Sequence, residues 1–399
     1  AFDRAGERIL LQCAQQRTET RGGGTVRLYK NNTDFDGHSY GTHENFLLRR
    51  DVPFEQVISA LLPFISTRQV YAGAGKVGVE EDTRADQAVF QLAQRSDFFE
   101  VITSVDTMQR RPLVNSRDEP HADPARWRRL HMIVGDANMS EWATALKVGS
   151  LALVLDLLEE DLVPAFELAD SVAALKSISR DTTRQWPVEL ADGRHVSGLE
   201  IQQAYCDAAR AYALGRDEET DWVLKEWQRA IDALGRDPLE LRGLCDWVTK
   251  KWLLDSFAKS EGLDWERAND RVWLQSQDLE YHNVDPEEGL YLMLEQQGHA
   301  SQLMSGEEVR RAMVVPPSDT RAYFRGVALE KFASHVRSLN WDSVEFEVDG
   351  AMHVVDLKGC VDMQSAAYYN AALDESDTVR GLIEKLAAWK PPEATKGEA

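Results

Sequence analysis

Apolar positions along the chain follow two periods, near 3.6 in some stretches and near 2 in others, and these divide it into elements. Ile9, Leu10 and Cys13 predict a helix over 4–17, ended by Gly22-Gly23-Gly24. Thr25–Lys30 alternates and predicts a strand, 31–42 is a polar loop, and Glu44–Arg49 is a second short strand. Val57, Leu61, Leu62 and Ile65 predict a helix over 54–69. An acidic loop is expected over 80–86, a strand over 90–103 and another over 130–134. Ser140 is placed to cap a long helix, with Glu141 in its first turn. The stretch 197–263 reads as mainly helical, and 320–337 as a further helix. The texture then changes: Trp341–Val348 alternates, Asp349-Gly350 makes a hairpin turn, and Met352–Leu357 returns as a strand. A helix is expected over 378–389 and a disordered tail over 391–399. The predicted class is α+β, with one large domain over 1–337 and a small C-terminal α+β domain over 338–399.

Composition narrows the partners. Of 399 residues, 43% are hydrophobic and 28% charged, an ordinary globular balance. The net charge of −22 repels phosphate backbones, so nucleic acid is not an expected partner; a polyphosphate would need a local basic pocket or a metal. No run of about 18 apolar residues exists, so no membrane-spanning segment is expected. Cys13, Cys206, Cys245 and Cys360 have no paired spacing, which fits a reducing cytoplasm. A monomer is expected. The chain opens on Ala1 and enters a helical pattern at once, which suggests the C-terminal portion of a longer protein.

Two clusters carry candidate chemistry. Lys30–Asn45 is dense in metal-ligating and hydrogen-bonding groups where a loop becomes a strand, and the strand period puts His43 and Asn45 on one face. A neutral imidazole beside a carboxamide suits a metal next to a purine or ribose; the same groups suit turn capping equally well. The second cluster spans Val114–Ser140. Arg117, Arg126, Arg128 and Arg129 fall within thirteen residues of an otherwise acidic chain, and guanidinium forks bind phosphate oxygens in pairs. Arg129, His131 and Ile133 share a strand face. A surface ion-pair network with Asp118, Glu119 and Asp123 is the competing reading. Gln94-Arg-Ser-Asp is weaker by itself. Gly73-Ala-Gly-Lys-Val-Gly matches a dinucleotide fingerprint only formally, because Val-Glu-Glu-Asp and not an apolar helix follows it. An ordinary turn near a site is the favoured reading there.

Taken in order, these segments resemble the family of the Pup ligase and the deamidase of Pup, which is related to the glutamine synthetases and the carboxylate–amine ligase fold. The resemblance is carried by Tyr29-Lys-Asn-Asn-Thr-Asp, Ser39-Tyr-Gly-Thr-His-Glu-Asn, Leu62-Pro-Phe, Thr67-Arg-Gln-Val, Gly73-Ala-Gly-Lys-Val, Asn115-Ser-Arg-Asp-Glu-Pro-His-Ala-Asp and Arg128-Arg-Leu-His-Met-Ile-Val-Gly-Asp-Ala-Asn-Met-Ser. Gln94-Arg-Ser-Asp, Arg236-Asp-Pro-Leu, Leu253-Leu-Asp-Ser-Phe, Asp319-Thr-Arg-Ala-Tyr-Phe-Arg-Gly and Trp341-Asp-Ser-Val resemble the deamidase/depupylase branch, whereas Met139-Ser-Glu is closer to the ligase.

The resemblance implies a glutamine-synthetase-like antiparallel sheet with packed helices, ATP and Mg²⁺ as cofactors, and Pup and pupylated proteins as partners. His43 and His131 would be metal ligands, Asn45 and Arg129 would contact ATP, and Arg95 and Arg117 would lie near the phosphates and the reacting carbonyl. The implied reactions are deamidation of the C-terminal glutamine of Pup and hydrolysis of the Pup–lysine isopeptide bond. Members of the family also carry an N-terminal Glu-x-Glu strand and a nucleophilic aspartate. Nothing here matches either, since Asp34 and Asp36 lie in a loop, so the attacking carboxylate is expected from a segment outside this chain. The alternatives are the ATP-consuming Pup–protein ligase and a non-catalytic nucleotide- or Pup-binding module.

Overall fold

The structure is a computed structural model that describes residues 1–21, 24–80, 89–106 and 110–388. Its strands are β1 (Glu44–Arg49), β2 (Lys76–Val77), β3 (Phe90–Gln91), β4 (Val101–Ser104), β5 (Pro112–Asn115), β6 (Trp127–Met132), β7 (Pro187–Glu189), β8 (His195–Ser197), β9 (Val336–Leu339), β10 (Ser343–Val348) and β11 (Ala351–Asp356). With the long helices between them the class is α+β. The chain divides into two compact units: Leu10–Asp118 with Arg129–Met304, and Ala1–Ile9 with Glu119–Arg128 and Ser305–Ala399.

The larger unit is built around a four-stranded sheet in the order β1-β6-β5-β4. β5 and β6 are antiparallel, with Asn115 opposite His131, and β4 lies parallel to β5. Helices supply most of the core. The helix Phe54–Thr67 buries Val57, Leu61, Phe64 and Ile65 on one stripe, as its spacing dictates. Phe64 meets Tyr205 and Trp227 at ring-centroid distances of 5.5 and 5.7 Å. The helix Glu141–Glu159 is apolar almost all round and lies in the middle of this core; Ser140 caps it by accepting from the Ala143 amide. Each fully buried Leu, Ile or Phe of this set contributes roughly 1.5–3 kcal/mol by leaving water.

The smaller unit carries the antiparallel sheet β11-β10-β9. Val344 and Phe346 of β10 face a core with Phe324, Phe332, Leu357, Leu373 and Leu382. The Asp349-Gly350 turn joins β10 to β11 in the register Val348↔Ala351, as alternation predicts.

Several elements differ from the pattern-based expectation. The helix at the start runs Phe2–Arg21. Thr25–Lys30 forms no ladder; its backbone bonds singly to the turn after the helix Ala268–Tyr281, through Lys30 N to His282 O (2.9 Å) and Val284 N to Leu28 O (3.0 Å). The stretch 90–103 is broken into β3, a 3₁₀ turn at Ser96–Phe98 and β4. The helix beginning at Arg321 stops at Phe332, and Val336–Leu339 pairs with β10 as β9. The helix Met363–Asp374, capped by Asp362, has no counterpart in the expected elements. The final helix runs Val379–Ala388. Gly22 and Gly23, most of the acidic loop (81–86), Trp389 and the tail 391–399 lie outside the described residues. Among the described residues, no helix is long and apolar enough to cross a membrane, and the four cysteines are free.

Candidate functional site

The start of β1 and the end of β6 bring two imidazoles into contact. His43 immediately precedes β1, and His131 sits near the end of β6. The His43 Nδ1 lies 2.8 Å from the His131 Nε2, so one ring donates to the other, and the ring centroids are 5.0 Å apart. Gly41 makes room for this: a Cβ there would sit 2.4 Å from the His43 Nε2. His131 is buried, and among the described residues its Nδ1 has no hydrogen-bond partner.

The other expected residues surround this pair. Asn45 lies two residues along β1 from His43, and its Oδ1 accepts from the Arg129 Nε at 2.8 Å. The Arg129 amide donates to the Asp118 Oδ1 at 3.0 Å, and the Asp118 Oδ2 pairs with Arg50 at 2.7 Å. Arg117 leaves the end of β5, where its amide donates to the Asn115 Oδ1 at 2.9 Å. Arg95 is buried; its Nε donates to Ser39 (3.1 Å), its Nη1 to the carbonyls of Ile133 and Gly135 (3.4 Å to the latter), and its guanidinium lies over the Phe99 ring. The structure thus brings His43, Asn45, Arg95, Arg117, Arg129 and His131 together from three separate sequence segments.

The electrostatics follow from that gathering. Partial burial, with Arg95 and Arg129 nearby, lowers the His43 imidazole below its usual value. Burial, then Arg129, His43 and Arg117, push His131 down to about 4. Both rings are therefore neutral near pH 7, and the bonded pair presents one N–H and one lone pair outward. Burial brings the Arg95 guanidinium down to about 10, partly opposed by Asp136, so it remains charged. Three guanidinium groups around two neutral imidazoles make a local positive site in a chain of net charge −22. Such a site suits phosphate or a developing oxyanion.

The donor set fits magnesium only in part. With the two rings bonded to each other, a single outer nitrogen, the His43 Nε2 or the His131 Nδ1 according to which ring donates, keeps a lone pair for a cation, and Mg²⁺ prefers oxygen ligands. Among the described residues, no group of three His, Cys, Asp or Glu side chains is arranged to hold a metal.

Residues that pattern reading did not single out hold the site in place. Glu44, next to His43, points inward and forms a buried two-pronged ion pair with Arg68 (3.1 Å for Nη1 to Oε2). Arg68 also donates to the Val134 carbonyl at 2.7 Å. Asn32 ties down the loop leading to His43: its amide donates to the Gln94 Oε1 (2.8 Å), its Nδ2 to Thr42 (2.9 Å), and its Oδ1 accepts from the Ala137 amide (2.6 Å). The only signal for Glu44 and Arg68 was their polarity inside a strand-like and a helical stretch; Asn32 sits in a polar loop and carried none. The Gly73-Ala-Gly-Lys-Val-Gly segment takes no part in phosphate binding through its lysine. Lys76 is buried in ion pairs with Glu80 and Asp97, and a Cβ at Gly73 would lie 2.2 Å from the Leu92 carbonyl, so these glycines serve packing.

Comparison with known proteins gives this arrangement its setting. The family described as Pup-ligase protein matches residues 1–345. The chain is 44% identical over 355 residues to a depupylase of Acidothermus cellulolyticus, covering 88% of this chain and 69% of that protein. It is 40% identical over 399 residues to the Pup deamidase/depupylase of Mycobacterium tuberculosis strain H37Rv, covering 97% and 77%. It is equally 40% identical, over 368 residues, to a Pup–protein ligase of Nakamurella multipartita, covering 90% and 79%. Among solved structures, it resembles the ligase PafA in complex with the prokaryotic ubiquitin-like protein Pup (TM-score 0.83, 34% identity, 97% of this chain and 77% of that one). It also resembles the Pup ligase PafA in complex with ADP (TM-score 0.81, 32% identity, 96% and 82%). The α+β fold is therefore glutamine-synthetase-like, as expected, with the parallel β4–β5 pair a local feature of its sheet. The chain belongs to the Pup-ligase family.

Proposed function

We propose that this protein serves an ATP- and Mg²⁺-dependent amide hydrolase, which converts the C-terminal glutamine of Pup to glutamate and cleaves the isopeptide bond between Pup and substrate lysines. The observation that carries the reading is the contact between His43 and His131 inside a ring of Arg95, Arg117 and Arg129, with Asn45 held by Arg129. Both reactions add water across a glutamyl C–N bond; nitrogen leaves as ammonia or as a lysine amine. Arg129 and Asn45 would hold the nucleotide. Arg95 and Arg117 would stabilise charge growing on the carbonyl oxygen as water adds. The carboxylate that attacks or activates water, and the oxygen ligands a magnesium ion needs, would come from a segment outside these 399 residues. ATP would organise the site rather than be consumed. The enzyme would act as a monomer in the cytoplasm, where the free thiols Cys206, Cys245 and Cys360 persist.

The deamidase-like segments, among them Gln94-Arg-Ser-Asp, favour hydrolysis over ligation. The second reading is the Pup–protein ligase, supported by Met139-Ser-Glu and by the relatives that carry that name. The two are separated by giving the intact enzyme ATP, Mg²⁺, Pup ending in glutamate and a lysine-bearing acceptor. The hydrolase reading expects no ADP in proportion to conjugate; stoichiometric ADP with conjugate accumulating would assign the ligase.

A further inference from the structure

We propose that Asp136 is a positioning residue for Arg95, and that its second carboxylate oxygen holds one bound water in a cavity that both residues line. The role of Arg95 in this proposal rests on the function proposed above. The water does not.

Asp136 follows β6 and is only 2% exposed. Its Oδ2 accepts from two backbone amides, those of Ala74 and Gln94, each at 2.8 Å. Gln94 is the residue directly before Arg95, so this carboxylate fixes the backbone from which the arginine projects. The head of Arg95 is held by the same segment, through the carbonyls of Ile133 and Gly135. Base and tip of the side chain are thus both tied to residues 133–136. The tie extends to the other arm of the site. Gln94 Oε1 accepts from Asn32, and Asn32 reaches Thr42, the residue before His43. One buried carboxylate therefore sets Arg95 in register with His43.

The other oxygen of Asp136 gives the second observation. Among the described residues, the buried Oδ1 has no hydrogen-bond partner. Asp136 lines a cavity of about 20 Å³ together with Arg95, Arg68, Lys147 and Gly135. That volume admits a single water, which needs about 10–15 Å³ on this measure and two to four polar partners. Lys147 is already committed, donating to the Asp136 carbonyl (2.7 Å) and to Asn138 (2.8 Å). A water accepting from Arg95 and donating to the Oδ1 satisfies the carboxylate and couples it to the guanidinium.

The test uses the intact enzyme with Asp136→Asn, Arg95→Lys and the double variant. Asp136→Asn holds the two amides by a weaker, neutral acceptor and puts a donor where the Oδ1 faces the water and Arg95, so the guanidinium shifts while the fold is kept. With Pup ending in glutamine, kcat should fall by on the order of 100-fold, at unchanged KM and thermal midpoint, because a small displacement of a catalytic group costs about that much. The double variant should be no slower than Arg95→Lys alone. Losses that simply multiply, or a fall in thermal midpoint with kcat preserved, would overturn the positioning role. A high-resolution crystal structure of the wild-type enzyme reads the water directly. Density within hydrogen-bond distance of Asp136 Oδ1 and an Arg95 nitrogen is expected; a dry cavity would overturn that part. This measurement stands whether or not the enzyme hydrolyses Pup, so failure of the function and failure of the water site are told apart.

Discussion

His131 joins the burial, neutrality and unpartnered nitrogen that a ligand-facing imidazole needs. Its low proton affinity has a geometric cause: it is buried, with Arg129 two residues away on the same strand face and His43 and Arg117 nearby. If the pair with His43 faces a metal-bound nucleotide, His131→Ala should weaken ATP binding at fixed Mg²⁺ by about tenfold, close to 1.4 kcal/mol. Titration calorimetry reads this, and an unchanged dissociation constant would remove the residue from the site. The Glu44–Arg68 pair makes a different kind of claim, about stability. Both partners are buried, so removing one leaves an uncompensated charge. Glu44→Ala should cost about 3–5 kcal/mol, seen as a lower thermal midpoint of the nucleotide-free protein. A midpoint within error of wild type would mean that Arg68 finds water or another partner. His43, Arg129 and His131 were legible at strand spacing and Arg117 as part of an arginine cluster in an acidic chain, whereas Arg95 entered only through the family resemblance. Glu44, Asn32 and Asp136 were not, because nothing in a sequence tells a buried acceptor from a solvated one.

At the level of elements, legibility followed locality. β1, β10 with its Asp349-Gly350 turn, and the helices starting at Phe54 and Glu141 were readable, since periodicity and caps decide them. Thr25–Lys30 alternates like a strand, yet its backbone pairs at one antiparallel bridge, with the turn at His282–Val284, a partner no local pattern could supply. The stretch 90–103 failed for a related reason: its interior polar residues, Gln94 to Asp97, are spent on long-range hydrogen bonds instead of a ladder. Asp97 belongs to this 3₁₀ turn and bonds Gln91 and Arg180 while pairing with Lys76. Burial alone would raise its carboxyl; Lys76, Gln91 and Arg180 outweigh that and hold it below the usual carboxylate range. Its stabilising contribution is therefore complete above about pH 4 and is lost as pH falls through the lower folded-state value. Urea midpoints measured down the acid limb should show this loss, and Asp97→Asn should flatten it. An acid limb identical in the variant would mean that other carboxylates govern it.

On the scale of the whole molecule, charge and site pull in opposite directions. The chain as a whole, at −22, repels anions, so in the proposed function nucleotide affinity would depend on the small positive field of Arg95, Arg117 and Arg129. All six candidate residues belong to the larger unit, and the smaller unit has a core of its own around Phe324 and Phe346. The central claim is that the site serves hydrolysis of a glutamyl amide. It is tested most directly by incubating the intact enzyme with Pup ending in glutamine, ATP and Mg²⁺, and measuring ammonia. Release of ammonia that requires both ATP and Mg²⁺, with one equivalent per Pup and no matching ADP, is the predicted result. An enzyme that binds ATP and Pup yet releases no ammonia would contradict it.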